Sequence, residues 1–372
     1  MKKFLSLIVA AVTALSLPVF AFSAGNTFSI HDAQTYAEDN LRDGFLYFDF
    51  GNMTYEIDGA ALKDFYYNSS IKYYVFVSNG VTVRADKNGF YDFDIKSVSF
   101  CLSERAFDVT YYYNSGTQKK LTEANVPIRY TLEYPETNPR TTASFDGVPV
   151  AAESNEGGVL VFNSEKVGAF EVINFEFADV AEPSRWYYEY VNAAGALGIL
   201  DGMDGINFEP KSNVTRAQLA AMIVKATENI VSYRIDESLS FSDVPEGKWY
   251  YEYVMKCAAL GIVNGVGDGK YNPLAGATRE EIATVIARLL KVVGSYGNTP
   301  LPEVDASGPE LSQYYTDAGS IHNYARESVL LCYKLGIMQG DSEGFRPRSK
   351  TVRSECAKIF YLINREMSNI KK

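Results

Sequence analysis

Three short stretches of this chain place an arginine where a helix would not choose one: Thr215-Arg216-Ala217-Gln218, Thr278-Arg279-Glu280-Glu281 and Val352-Arg353-Ser354-Glu355. Thr215 with Gln218, and Thr278 with Glu281, have capping-box spacing: the hydroxyl accepts from the amide three residues on, whose side chain reaches back to the cap amide. Glu355 keeps the reaching group, although Val352 lacks the hydroxyl. A helix start therefore explains the Thr and the acid or amide. It does not explain the arginine, since a cation in the first turn opposes the helix dipole at a cost of a few tenths of a kcal/mol. The same misplaced charge three times over asks for an anion. Free N–H groups at a helix N-terminus, beside a guanidinium fork, make a carboxylate site; the competing explanation is a surface salt bridge.

The elements around these arginines repeat as a unit. The first copy runs FADV (177–180), WYYEYV (186–191), LGI (197–199), FEP (208–210), VTRAQL (214–219); the second runs FSDV, WYYEYV, LGI, YNP, ATREEI; the third runs YTDA, NYARESV, LGI, FRP, TVRSEC. Asp179 precedes Arg216 by 37 residues (216 − 179), while Asp243 to Arg279 and Asp317 to Arg353 are both 36. A unit that cannot bury its own apolar face stacks on its copies.

Within each copy the apolar period is that of a helix. Tyr187, Val191, Ala194 and Gly198 form one stripe, answered by Tyr250, Val254, Cys257, Gly261 and by Ala325, Val329, Cys332, Gly336. A second stripe follows each arginine, beginning Leu219, Met222, Ile223, Ala226. Each copy is thus helix, loop, helix. Cys257, Cys332 and Cys356 fall on stripe positions held elsewhere by Ala194 or by Leu219 and Ile282, which makes them buried apolar side chains; a Cys257 to Cys332 disulfide is the alternative. Gly202, Gly265 and Gly340, four residues after the LGI glycine, are either turn residues needing positive φ or bare backbone that lets a sugar ring approach. Trp186 and Trp249 offer rings for sugar stacking, although an aromatic at a helix start more often turns into the core.

These repeats resemble the S-layer homology domain, the three-copy module by which exported bacterial proteins attach to the cell wall. The resemblance covers about half the chain and implies a pseudo-trimer whose grooves bind a pyruvylated secondary cell-wall polysaccharide linked to peptidoglycan. It further implies that Arg216, Arg279 and Arg353 contact ligand. Gln218 in place of the motif Glu, Val352 in place of Thr, and Tyr324 where Trp186 and Trp249 stand depart from the pattern, the last two making the third copy the weakest groove.

Ahead of the repeats, IKYYVFV (71–77), VTVRA (81–85) and FDVTYYY (107–113), separated by turns such as Asn88-Gly89, predict antiparallel hairpins. A further group from 126 to 176 predicts a separate small sandwich. Lys2, Lys3 and an apolar run from Phe4 to Leu17 predict a secretory signal cleaved after Ala21 or Ser23. The expected domains are 1–23 signal, 24–125 β-rich, 126–176 small sandwich, and repeats at 177–230, 241–294 and 315–368. The expected fold class is α+β by segregation: an all-β, sandwich-like front and an all-α pseudo-threefold domain.

Among 372 residues the net charge is −11, which argues against broad capture of nucleic acid. Only two histidines, His31 and His322, are present, and no metal or cofactor is expected. No apolar stretch after the signal reaches spanning length, so no membrane span is expected in the mature chain. The expected function is non-enzymatic, anchored display at the cell surface. The alternatives place a glycan or peptidoglycan hydrolase, or a carbohydrate- or protein-binding adhesin, in residues 24–176.

Overall fold

A computed structural model describes residues 27–370 apart from 51–53, 91, 93, 104, 229, 298–303 and 305–309. The signal segment and most of the connector between the second and third repeats lie outside the described residues. The chain divides into two compact units, Met1–Phe175 and Glu176–Lys372.

The first unit is β-rich, with three sheets. A seven-stranded sheet includes Phe45–Asp49, Tyr73–Ser78, Val81–Asp86, Glu123–Glu133 and Val159–Lys166; a six-stranded sheet includes Thr54–Asp58, Ile95–Ser103 and Ala106–Tyr113. Alternating residues supply the filling between them. Phe48 and Phe76 from one sheet meet Phe100 and Phe107 from the other, with Phe76 centred 4.8 Å from Phe100 and 4.9 Å from Phe107. All four rings are completely buried.

Two expectations for this unit are corrected. The strand Glu123–Glu133 runs through the expected boundary at 125/126 and pairs with strands on both sides of it, Val81–Asp86 and Val159–Lys166. One β body therefore replaces two. Nor is every pairing antiparallel: Thr27–Ile30 lies parallel to Thr54–Asp58, and Phe45–Asp49 parallel to Tyr73–Ser78. Parallel neighbours need a crossover. Two helices, α1 (Ala33–Asn40) and α2 (Gly59–Tyr67), sit in those connections, each started by an aspartate, Asp32 or Asp58, that accepts from the first-turn N–H groups.

The second unit is helical. The first helices of the three repeats are α3 (Tyr188–Ala196), α5 (Tyr251–Ala259) and α8 (Arg326–Lys334); the second helices are α4 (Arg216–Thr227), α6 (Arg279–Gly297) and α9 (Arg353–Ile370), with the short α7 (Glu310–Tyr314) before the third repeat. The packing partners are not the two helices of one repeat. Instead α4 packs on α5, α6 on α8, and α9 closes the circle on α3. The apolar stripes make these joints: Val191, Ala194, Ile223, Val254, Cys257, Ile286, Val329 and Cys332 are buried, and all three stripe cysteines are free thiols.

The pseudo-threefold axis is marked by backbone alone. Val214 N–H donates to Thr351 O at 2.9 Å, Thr351 N–H to Ala277 O at 3.1 Å, and Ala277 N–H to Val214 O at 2.9 Å. These three equivalent residues form a closed triangle of hydrogen bonds, fully buried. Among the described residues no helix is long and apolar enough to cross a membrane.

Candidate functional site

The capping reading of the arginine motif holds in detail. Thr215 Oγ1 accepts from Gln218 N–H and Gln218 Oε1 accepts from Thr215 N–H, a complete capping box. Glu281 accepts from Thr278 N–H at 2.7 Å, and Glu355 from Val352 N–H at 3.0 Å. The remaining first-turn donors are also taken, by carbonyls of the next repeat around the circle. Arg216 N–H and Ala217 N–H go to Ala275 and Pro273; Arg279 and Glu280 to Ser349 and Pro347; Arg353 and Ser354 to Ser212 and Pro210. The helix N-termini therefore keep no first-turn amide for a ligand carboxylate, contrary to the site drawn from the sequence.

The guanidinium groups follow the same circle. Arg216 Nε donates to Tyr271 O and Nη2 to Asn264 O, both at 2.8 Å, and the group stacks on the Tyr271 ring at 4.6 Å. Arg279 repeats this on Phe345 and Gln339, and Arg353 on Phe208 and Asp201. Neutral carbonyl oxygens and π faces, joined by a carboxylate at two of the three sites, fill the place that the helix dipole argument gave to a ligand anion. Arg279 adds Glu355 at 2.6 Å and Arg216 adds Glu281 at 3.5 Å. The equivalent partner for Arg353 is Gln218, which brings no charge. Arg353 is only 4% exposed, and burial lowers its pKa from the ordinary value. The arginines are thus buckles between repeats.

The glycines divide differently from the sequence expectation. Positive φ belongs to the LGI glycines, Gly198, Gly261 and Gly336 at 65°, 66° and 68°, which end the first helices instead of lying on their stripes. Gly202, Gly265 and Gly340 do not have positive φ. A Cβ on Gly202 would lie 2.8 Å from Asn207 O and 3.2 Å from the Phe177 ring, and the other two meet Lys270 O with Phe241 and Gly344 O with Tyr315. The bare backbone admits the protein's own chain at these positions. Behind that turn, Asp179, Asp243 and Asp317 each accept two successive N–H groups, at Phe208 and Glu209, Tyr271 and Asn272, Phe345 and Arg346.

Trp186, Trp249 and Tyr324 are 55%, 58% and 57% exposed, so the helix-start aromatics face solvent and do not enter the core. Trp186 forms one wall of a cleft of about 430 Å³ between the first and third repeats, with Arg279 of the second at its base. Arg185, Lys211, Arg346 and Lys350 surround it, and Glu355 is its one carboxylate. Arg185 pairs with Glu182, Arg346 with Asp341, and Lys350 donates to Gly276 O. Lys211 has no hydrogen-bond or ion-pair partner among the described residues, and Arg346 Nε is buried with no acceptor. The cleft joins a flat exposed ring to concentrated positive charge in a chain of net charge −11.

The motif reading missed these four cations. Superposing the copies in sequence exposes two of them, because Arg346 and Lys350 stand where the first repeat has Glu209 and Asn213 and the second has Asn272 and Gly276.

Comparison with known proteins decides the family of the repeats. The model of the S-layer homology domain matches residues 176–220, 240–283 and 314–357. The chain contains three S-layer homology domains. An amylopullulanase of Thermoanaerobacterium thermosulfurigenes is 28% identical over 79% of this chain and 15% of its own length. Exoglucanase XynX of Acetivibrio thermocellus is 30% identical over 52% of this chain and 17% of its own. A cellulosome-anchoring protein of Acetivibrio thermocellus is 26% identical over 48% of this chain and 38% of its own. The chain therefore spans under a fifth of the first two relatives. S-layer homology domains anchor proteins at the cell surface, and this chain is a secreted, wall-anchored surface protein. The expectation of a non-enzymatic chain does not stand, because relatives sharing these domains include glycan-degrading enzymes and the first match reaches beyond the repeats.

Proposed function

We propose that the S-layer homology domains hold this chain to an anionic, pyruvylated wall polysaccharide through the Trp186 cleft. The observation that carries this reading is the exposed Trp186 ring beside Arg185, Lys211, Arg346 and Lys350. A sugar ring stacks on the indole, while the carboxylate of a pyruvate ketal meets Lys211 and the Arg346 fork. Trp249 is the equivalent aromatic of the second repeat, where Lys248 and Glu209 stand at the positions of Arg185 and Arg346 and leave those two positions without net charge. Arg279 shapes the Trp186 cleft from behind; Arg216 and Arg353 serve the joints between repeats.

The test is sedimentation of the full chain with purified walls that retain or lack pyruvyl groups. Retention by the first and release from the second is expected; equal binding to both removes the proposed ligand. Trp186→Ala or Lys211→Ala weakens retention by on the order of tenfold, with an unchanged unfolding midpoint, if ring and charge contact the polymer.

A second reading concerns the β-rich unit. The match to the amylopullulanase extends past the repeats, which favours a cargo that works alongside glycan breakdown. Release of reducing ends from starch-type and wall glycans by the full chain tests it, and no release on any of them counts against it.

A further inference from the structure

The β-rich unit holds a groove of about 420 Å³ between α1 and α2. Both helices are pinned at their starts, by Asp32 and Asp58, and the end of α2 is tied by Lys87, whose ammonium donates to Asn68 O at 2.7 Å. The gap between them follows from side-chain size. Ala33 and Ala37, one turn apart on α1, line the groove with too little bulk to fill it, and the buried Phe65 ring of α2 completes an apolar floor.

The rim is polar, and its charge has one sign. Gln34 and Glu38 stand on the α1 side, Asp64 and Asn68 on the α2 side, and none of the lining residues is a lysine, an arginine or a histidine. Part of this polarity is spent internally: Gln34 Nε2 donates to Glu38 Oε1 at 3.1 Å, and Asn68 Oδ1 accepts from Ser70 N–H at 2.9 Å. Among the described residues, Glu38 Oε2, the Asp64 carboxylate and Asn68 Nδ2 make no hydrogen bond to the protein. Free acceptors and a free donor thus stand on two sides of an apolar floor.

That combination selects a ligand by chemistry. An anion is repelled by two carboxylates that no lining cation offsets. A simple cation engages the carboxylates and leaves the amide donor idle. Hydroxyl groups both give and accept, so they use the whole rim, donating to the carboxylates and accepting from the carboxamide, while a face of C–H bonds lies on Ala33, Ala37 and Phe65. The volume falls within the range of about 300–1,000 Å³ that small-molecule sites occupy.

We infer that the groove between α1 and α2 is a binding site for a neutral hexose unit, held through Glu38, Asp64 and Asn68. The inference concerns a different unit from the Trp186 cleft and does not rest on the wall-polysaccharide reading. The charge of the groove is opposite to that of the cleft, so one ligand does not suit both.

Calorimetric titration of the full chain with the methyl glycosides of glucose, galactose and mannose, and with N-acetylglucosamine, tests it. At least one of the four is expected to bind. Asp64→Ala removes an exposed acceptor and Ala37→Leu fills the floor; each is expected to weaken that binding about tenfold, at wild-type circular dichroism. If Ala37→Leu fails to fold, Asp64→Ala decides alone. Absence of binding by all four sugars overturns the inference. So does binding that is unchanged in Asp64→Ala, or that is lost only in Trp186→Ala, which assigns the sugar to the helical unit. Binding of butylammonium without binding of any sugar gives the groove to a cation and overturns the inference as well.

Discussion

Nη1 of Arg279 lies 2.6 Å from Oε1 of Glu355, joining the first turn of α6 to the first turn of α9 across a repeat boundary. Glu355 also accepts from Val352 N–H, so one carboxylate both starts its own helix and ties it to the previous repeat. Breaking a fully buried pair costs about 3–5 kcal/mol. Glu355 is partly exposed and Arg279 retains two carbonyl acceptors, so Glu355→Ala should cost about 2 kcal/mol. Denaturant unfolding followed by the helical signal checks this, and a change under about 0.5 kcal/mol would show that the pair is only superficial.

At the joint that closes the circle the corresponding residue is neutral. Arg353 is buried against Phe208 O and Asp201 O with Gln218 in the carboxylate position. Gln218→Glu keeps the capping geometry and adds the missing charge. It should stabilise the helical unit by about 1 kcal/mol, read as a higher unfolding midpoint. A lower midpoint would mean that Asp201 and Glu209 already satisfy Arg353.

On the axis, the Thr351 hydroxyl is buried without a hydrogen-bond partner, while Val214 and Ala277 hold the equivalent positions with apolar side chains. Thr351→Val preserves shape and removes the orphan hydroxyl. The variant should be more stable by about 1 kcal/mol, and the backbone triangle should keep its slow amide exchange.

Acid should loosen the turn clamps. Burial raises the Asp243 pKa, yet the Tyr271 and Asn272 N–H groups outweigh it and hold the carboxyl below its ordinary value. A depressed folded pKa means stability present above the unfolded value, about 3.9, and lost as pH falls through the folded one. Wild-type stability should therefore drop below about pH 4. Asp243→Asn should be weaker by about 1 kcal/mol at neutral pH and show a shallower acid loss, because its contribution no longer titrates. Identical acid profiles for the two forms would assign the pH dependence to other groups.

The helical unit was readable from sequence because its signals are local: Thr215 and Gln218 are three residues apart, and the stripes from Leu219 to Ala226 recur within two turns. What the arginines do was not readable, because their partners are remote. Arg353 reaches a carbonyl 145 positions away and Arg279 one 66 away, so a reading confined to one helix finds a charge without a partner and supplies a ligand. Gly202 misled in the same way, since the atoms that exclude its Cβ come from a returning turn at Asn207. In the β-rich unit the strands of 71–77 and 107–113 were visible by alternation, but α1 and α2 were not. They are short segments of eight and nine residues, too brief for a clear periodic signal, whose helical state is set by Asp32 and Asp58 caps and by packing. The cations of the Trp186 cleft came from loops on separate repeats, where only the folded circle brings them together.

The Val214, Ala277 and Thr351 triangle has one further consequence. An open stack of repeats exposes its two ends and can be lengthened or trimmed one unit at a time. Here the last helix is the neighbour of the first, and each backbone vertex already donates once and accepts once. A duplication finds no vacancy, and a deletion strands one helix from each side of the cut. Copy number in this module is locked by geometry, so change is channelled into the sequence of individual copies, which is where the surroundings of Trp186, Trp249 and Tyr324 differ.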